Sequence, residues 1–122
     1  MPKTQHAKRL EENLSRSTEI NLTVTGRKTG RKSTRPIWFV LENGRLDLLP
    51  VSGSDTQWYQ NVLANPTMEI EAQGAREAFR AVPITDPQEV KNVVEKFRKK
   101  HGAGDVKKYY SKLDVAVLAE PA

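Results

Sequence analysis

The sequence predicts a mainly β domain with flanking helices, an α+β fold in which about six antiparallel strands close into a small barrel. Three observations lead there. Apolar residues alternate with polar ones in short runs bounded by turn residues. Asn43-Gly44 sits between two such runs. Full helix signals are confined to two stretches beyond residue 18. Hairpin links between most strands argue for an antiparallel sheet over a parallel α/β fold. Six strands in 122 residues favour closure, because closure removes edges. The length amounts to one domain, assigned to residues 18–122 behind a polar segment 1–17.

Within residues 1–17 Leu10 and Leu14 stand four apart, which fits a short helix or an arm. Ile20, Leu22 and Val24 alternate with polar neighbours, the pattern of a half-buried strand over Glu19–Thr25. Gly26 to Ser33 reads as a basic loop. Pro36 to Leu41 is apolar on both faces and is predicted to be a strand buried on two sides. Asn43-Gly44 calls for a type I′ turn, whose two central residues need positive φ, and Arg45 to Val51 returns as the partner strand. Ser52 to Asp55 breaks that strand and offers an N-cap. The i,i+4 pairs Trp58/Val62 and Tyr59/Leu63 predict a helix over Asp55–Ala64, ended by Asn65-Pro66. Met68, Ile70 and Ala72 predict a one-sided strand, and Gly74 turns it into a weaker one over Arg76–Val82. Asp86-Pro87-Gln88-Glu89 is a capped helix start with Pro at the first helical position. Val90, Val93, Val94 and Phe97 give that helix an apolar face, which ends at Gly102. Asp105 is expected to cap a further turn carrying Tyr109 and Tyr110, and Leu113, Val115 and Val117 to form the last strand.

Composition removes whole classes of chemistry. There is no Cys, hence no disulfide, thiolate metal site, iron–sulfur cluster or Cys nucleophile. Two histidines, His6 and His101, exclude a three-histidine metal site within one chain. No nucleophile elbow is present, and Glu69/Glu71 and Asp86/Glu89 have solvent-face or capping explanations. His101, in a charged helix end, is expected to cap carbonyls or meet water. No apolar run nears the ~20 residues that span a bilayer, and Met1–Arg16 has no signal-peptide core. The expectation is a cytoplasmic domain without a transmembrane segment or a metal.

Lys plus Arg number 20 against 15 Asp plus Glu, a formal net charge of +5, which favours anionic partners. Arg27, Lys28, Arg31, Lys32 and Arg35 crowd around Gly26, Thr29, Gly30, Ser33 and Thr34. Glycines let backbone N–H groups approach an anion, hydroxyls add donors, and the cations supply charge, a set suited to a phosphate or clustered carboxylates. A solvated charged turn explains the same residues about equally well. The glycine spacing is wrong for a Walker loop, and no helix follows. A basic barrel that stacks single-stranded nucleic acid on Trp38, Phe39, Trp58 and Tyr59 is a weaker reading, because Trp58 and Tyr59 have apolar i,i+4 partners that fit core packing. With so little acid–base or nucleophilic apparatus, any chemistry falls to a bound cofactor that the protein orients.

Several motifs occur in one order along the chain: Thr-Gly-Arg-Lys-Thr-Gly-Arg at 25–31, Arg-Pro-Ile-Trp-Phe-Val at 35–40, Asn-Gly-Arg at 43–45, Trp-Tyr-Gln-Asn-Val at 58–62, Ala-Asn-Pro at 64–66 and Val-Leu-Ala-Glu-Pro at 117–121. The series resembles the deazaflavin-dependent nitroreductase family. That resemblance implies a split β-barrel, FMN-binding-like and related to pyridoxamine-phosphate oxidases, with coenzyme F420 as cofactor. It implies hydride transfer to a quinone, nitroaromatic or other conjugated small-molecule electron acceptor, with no obligatory catalytic side chain. By the same resemblance Arg27, Lys28, Thr29, Gly30 and Arg31 hold the phosphate and acidic tail, joined by Ser33 and Arg35. Pro50, Val51 and Ser52 lie against the ring. Trp38 and Trp58 wall the ring or fill the barrel, and Tyr109 and Tyr110 line the acceptor site or pack elsewhere. Lys32-Ser33 replaces the Pro-Arg common in relatives, and Ser52–Gln57 is short, which keeps FMN open as an alternative cofactor. The other readings are an FMN- or F420-binding carrier without turnover and the nucleic-acid-binding barrel. No nucleic-acid partner is expected, and a monomer and a homodimer both fit.

Overall fold

The structure, a computed structural model, describes residues 2–122, with side chains from Arg9 onward. Its elements run α1 Pro2–Ser15, β1 Glu19–Thr25, β2 Lys32–Trp38, β3 Val40–Glu42, β4 Arg45–Leu48, α2 Gln57–Ala64, β5 Thr67–Ala72, β6 Ala75–Ile84, α3 Pro87–His101, α4 Ala103–Tyr109 and β7 Ala116–Pro121. All pairings between strands are antiparallel, and seven strands form one sheet in the order β2-β1-β5-β6-β7-β4-β3.

That order fixes the shape. β2 and β3 are the two outer strands of the sheet, yet only Phe39 separates them in the chain. One residue spans about 3.5 Å, so the sheet must curl until its edges nearly meet. The result is a split β-barrel: a curled sheet that closes on itself without a β2–β3 ladder. Phe39 is wholly buried, and its carbonyl, lost to the ladder, accepts from Lys100 Nζ at 2.8 Å and pairs with His101 Nε2 at 3.1 Å. The last turn of α3 thereby staples the split and meets the requirement that buried carbonyls find donors.

The predicted two-sided strand over Pro36–Leu41 is accordingly two pieces. β2 begins four residues earlier than expected, has a partner on one side only, and exposes most of its length. Apolar residues on both faces here serve a strand end that dives between two packing layers. The last strand is also shifted: β7 starts at Ala116, because Ser111 to Asp114 are tied to the turn after β4. β4 stops at Leu48, ahead of the predicted Val51. A 3-10 turn over Gly53–Asp55 precedes α2, with no side-chain cap. α4 is capped by Gly102, with Asp105 inside its first turn.

Local signals elsewhere act as read. Asn43 and Gly44 have φ of 53° and 75°, and the Asp86 side chain accepts from Glu89 N–H at 3.0 Å. Residues 2–15 form a helix whose Leu10 and Leu14 are buried, while Asn13 Nδ2 donates to the Ala72 carbonyl at 3.0 Å. Pro83, in β6 beyond the last β5 partner Arg80, costs no ladder bond on that free side. Two hydrophobic clusters result. The larger fills the barrel with Ile20, Leu22, Val24, Phe39, Trp58, Tyr59, Ile70 and others. The smaller joins α3 and α4 to Leu49 and Ala116, with Trp38 packed against it.

Candidate functional site

β2 joins two contrasting regions. At one end the β1–β2 connection spans only Gly26–Arg31, so Ser33 and Arg35, expected in the loop, are strand residues. The loop closes on itself: Gly26 N–H donates to the Arg31 carbonyl at 2.7 Å, Gly30 N–H to the Gly26 carbonyl at 3.0 Å, and Arg31 N–H to Thr29 Oγ1 at 3.2 Å. Gly30 has φ 73°, which suits glycine. Arg27 anchors the loop to α2. Its backbone N–H and Nη1 both reach Asn61 Oδ1, at 3.1 and 2.7 Å, and Nη2 reaches Gln57 Oε1 at 3.0 Å. Lys28, Thr29, Gly30, Arg31 and Lys32 are exposed.

The opposite end of β2 enters a cleft of about 290 Å³ lined by Glu19, Pro36, Ile37, Trp38, Leu49, Val51, Tyr109 and Tyr110. The seven residues of β2 at ~3.3 Å each place it about 20 Å from the cationic loop. Trp38 meets Tyr109 edge-on, with centroids 5.6 Å apart at 86°, and Tyr110 at 6.1 Å and 51°. Val51 and Tyr109 rank among the few large apolar side chains in the open, at 46% and 52% exposed, which marks the cleft as an apolar opening in a charged surface. Burial pushes the Tyr110 hydroxyl up to about 12, so it remains a donor at neutral pH. No group among the described residues hydrogen-bonds it, yet no buried polar side-chain atom lacks a partner. The hydroxyl therefore keeps some exposure.

A latch fixes the Val51 wall. Ser111 N–H donates to the Val51 carbonyl at 2.8 Å, Ser52 bridges Lys112, Ser54 donates to Asp114 through N–H at 2.9 Å and Oγ at 2.6 Å, and Lys112 pairs with Asp55 at 3.1 Å. The Ser54 bonds hold the Asp114 carboxyl below its usual range. Gly53, at φ 56°, admits nothing larger: a Cβ there would collide with the Asp114 carboxylate and stand 3.0 Å from the Lys112 carbonyl oxygen.

The residues singled out by sequence thus divide. Trp38, Val51, Tyr109 and Tyr110 meet in the cleft. Pro50 is buried behind Val51, and Ser52 N–H is spent on Thr56 Oγ1 at 2.9 Å. Trp58 is 2% exposed inside the barrel and has no face free to wall a ligand. Phe39 and Tyr59 are likewise buried, which removes three of the four stacking platforms a nucleic-acid barrel would need. Ser33 and Arg35 stand opposite Val24 and Leu22 in the ladder, whereas Lys32 and Trp38 stand opposite Thr25 and Glu19, so they project from opposite faces of β2. Sequence reasoning missed the latch and the position of His101. The carbonyl that His101 meets belongs to the strand break, not to its own helix.

A curled sheet whose outer strands are joined through Phe39, with a cationic loop and an aromatic cleft at opposite ends of β2, defines a split β-barrel protein. The F420H(2)-dependent quinone reductase family model matches residues 3–120, and the chain belongs to that family. It is a deazaflavin-dependent reductase, and its cofactor is coenzyme F420. Among solved structures, the F420-H2-dependent reductase FDR-A is 22% identical with a TM-score of 0.66, covering 84% of this chain and 94% of that one. A candidate pyridoxamine 5′-phosphate oxidase from Listeria innocua is 15% identical with a TM-score of 0.68, over 94% and 92%. HutZ, the heme storage protein from Vibrio cholerae, is 15% identical with a TM-score of 0.71, over 94% and 89%. At these identities the likeness is one of fold.

The donor set suits F420. Exposed Lys28, Arg31 and Lys32, with Thr29 beside them, offer charge and hydroxyl donors for a phosphate and carboxylates. The cleft at the other end of β2 is a separate surface, with the Trp38 and Tyr109 rings among its walls. Among the described residues no cluster of carboxylates and histidines could hold a metal, and no helix is long and apolar enough to cross a membrane.

Proposed function

We propose that the protein reduces a flat conjugated acceptor, of quinone or nitroaromatic type, in the cleft formed by Trp38, Val51, Tyr109 and Tyr110. The observation that carries this reading is the polarity of β2, cationic at the Lys32 end and aromatic at the Trp38 end about 20 Å away. Bound reduced F420 supplies hydride. The protein's own contribution is placement. Lys28, Arg31 and Lys32 attract the phosphate and acidic tail, with Thr29 adding a hydroxyl. Arg27 holds the loop on α2 so that these cations face outward together. Trp38 and Tyr109 offer faces to the acceptor ring, and Val51 and Leu49 exclude water from it. The Tyr110 hydroxyl, protonated at neutral pH, donates a hydrogen bond to the acceptor oxygen that gains charge on reduction. Orientation and desolvation supply the acceleration.

The test is oxidation of reduced F420 by menadione and by a nitroaromatic, followed at the deazaflavin absorbance. The reading expects protein-dependent oxidation of at least one acceptor, weaker F420 binding in Lys28→Ala, and slower turnover at saturating F420 in Tyr110→Phe. F420 binding without any oxidation above background would overturn it in favour of a carrier.

A further inference from the structure

Trp38 has a second side. Its indole is stacked on His101, the last residue of α3, with centroids 4.5 Å apart and planes 7° from parallel. His101 does not line the cleft. It is itself fixed: a carbonyl only accepts, so the 3.1 Å contact with Phe39 is an Nε2–H donation, and the Phe97 ring flanks it at 5.6 Å. Lys100, from the same helical turn, donates to the same carbonyl and sits 3.7 Å over the Phe39 ring. The imidazole is therefore gripped by the strand break on one side while it covers one face of the indole on the other.

We infer that His101 is a positioning residue for ring binding: it sets the plane of Trp38 from behind, so that the opposite face of the indole is presented to the acceptor. The inference rests on the reading of the cleft given above. Trp38 ends an edge strand whose sole ladder partner at that residue is Glu19, so pairing constrains its backbone from one side only. Tyr109 and Tyr110 meet it edge-on or tilted, and among the described rings in contact with Trp38 only the His101 imidazole lies parallel to its plane. A wall fixed before the ligand arrives spares the ordering that binding would otherwise require. α3 is itself seated by Val90, Val93, Val94 and Phe97, each buried, so its terminal residue is not needed to hold the helix. The stack lies within the protein, so its loss weakens ligand binding by no more than the bias it gives the ring plane, roughly three- to ten-fold.

The experiment compares wild type with His101→Ala, His101→Gln and His101→Phe. Menadione affinity is read by quenching of tryptophan fluorescence, and the Trp38 environment by near-ultraviolet circular dichroism. Gln keeps an N–H for the Phe39 carbonyl without a ring; Phe keeps a ring without the donor. The expected result is menadione binding weakened roughly three- to ten-fold in Ala and Gln, a reduced tryptophan dichroic band in both, and recovery of affinity and band in Phe. Unchanged affinity in Ala, or recovery in Gln equal to that in Phe, overturns the inference alone. Failure of wild type to bind menadione at all overturns the cleft reading and this inference with it, and is told apart because it appears before any substitution is made.

Discussion

At its Lys32 end β2 runs into a loop whose cations stand in water, held by backbone bonds and by one arginine tied to α2. At its Trp38 end it runs into a cleft whose walls are each fixed by another part of the fold: Trp38 by His101, Val51 by Ser111, and the turn beyond it by Asp114. The contrast follows from what each end must bind. Charge acts through solvent and tolerates movement, but salt screens it. A ring is held by contact, which weakens steeply with distance and demands a rigid wall. The same strand can serve both because it lies at an edge, with one side unpaired.

The most damaging change should fall in neither region. Trp58→Ala is expected to cost about 3–5 kcal/mol of unfolding free energy, since Trp58 fills the barrel. Urea denaturation would measure it, and a variant of near-wild-type stability with lost F420 binding would move Trp58 from core to groove. Next is Tyr110, whose folded value near 12 exceeds the ordinary 10.0. Folding favours the protonated hydroxyl, so this contribution is complete below pH 10 and is lost as pH rises towards 12. Two units correspond to about 2–3 kcal/mol. The difference in unfolding free energy between wild type and Tyr110→Phe, from urea denaturation at pH 9 to 12, should change by that amount; a constant difference would contradict the burial.

Loosening the latch should cost less. Asp114→Ala leaves the Ser54 donors unpaired and is expected to lower stability by about 1–2 kcal/mol and to raise the KM for the acceptor, while F420 affinity stays within twofold. Loss of both affinities together would show that the two ends are not independent. Smallest is Lys28→Ala, which should weaken F420 binding by a few-fold, because exposed charge contributes about 0.2–1 kcal/mol per contact. A still smaller effect on menadione would sharpen the division of labour.

The parts legible in the sequence are those set by near neighbours. Alternation of Ile20, Leu22 and Val24 fixed one face of β1. Asn43-Gly44 carried its turn because positive φ is a property of those two residues, and Asp86 reached Glu89 N–H three residues on. The loop cations and the aromatic candidates were visible as residue types in motif order. The break at Phe39 was not, since the donors to its carbonyl lie 61 and 62 residues away. Nor was the start of β7, delayed because Asp114 serves Ser54 across 60 residues. Trp38 and Trp58 drew the same pair of roles, ring wall or barrel filler; tertiary packing puts the first, at the end of β2, beside the cleft and the second, on α2, inside the barrel.

Salt dependence measured on both ligands tests the central claim most directly. Dissociation constants for F420 and for menadione would be determined by tryptophan quenching across a range of sodium chloride concentrations, from low to well above physiological. Separate cationic and aromatic ends predict that F420 binding weakens by about tenfold over that range as the phosphate and carboxylates are screened, while menadione binding is unchanged or slightly tighter. F420 affinity indifferent to salt, or menadione affinity falling in parallel with it, would contradict the account.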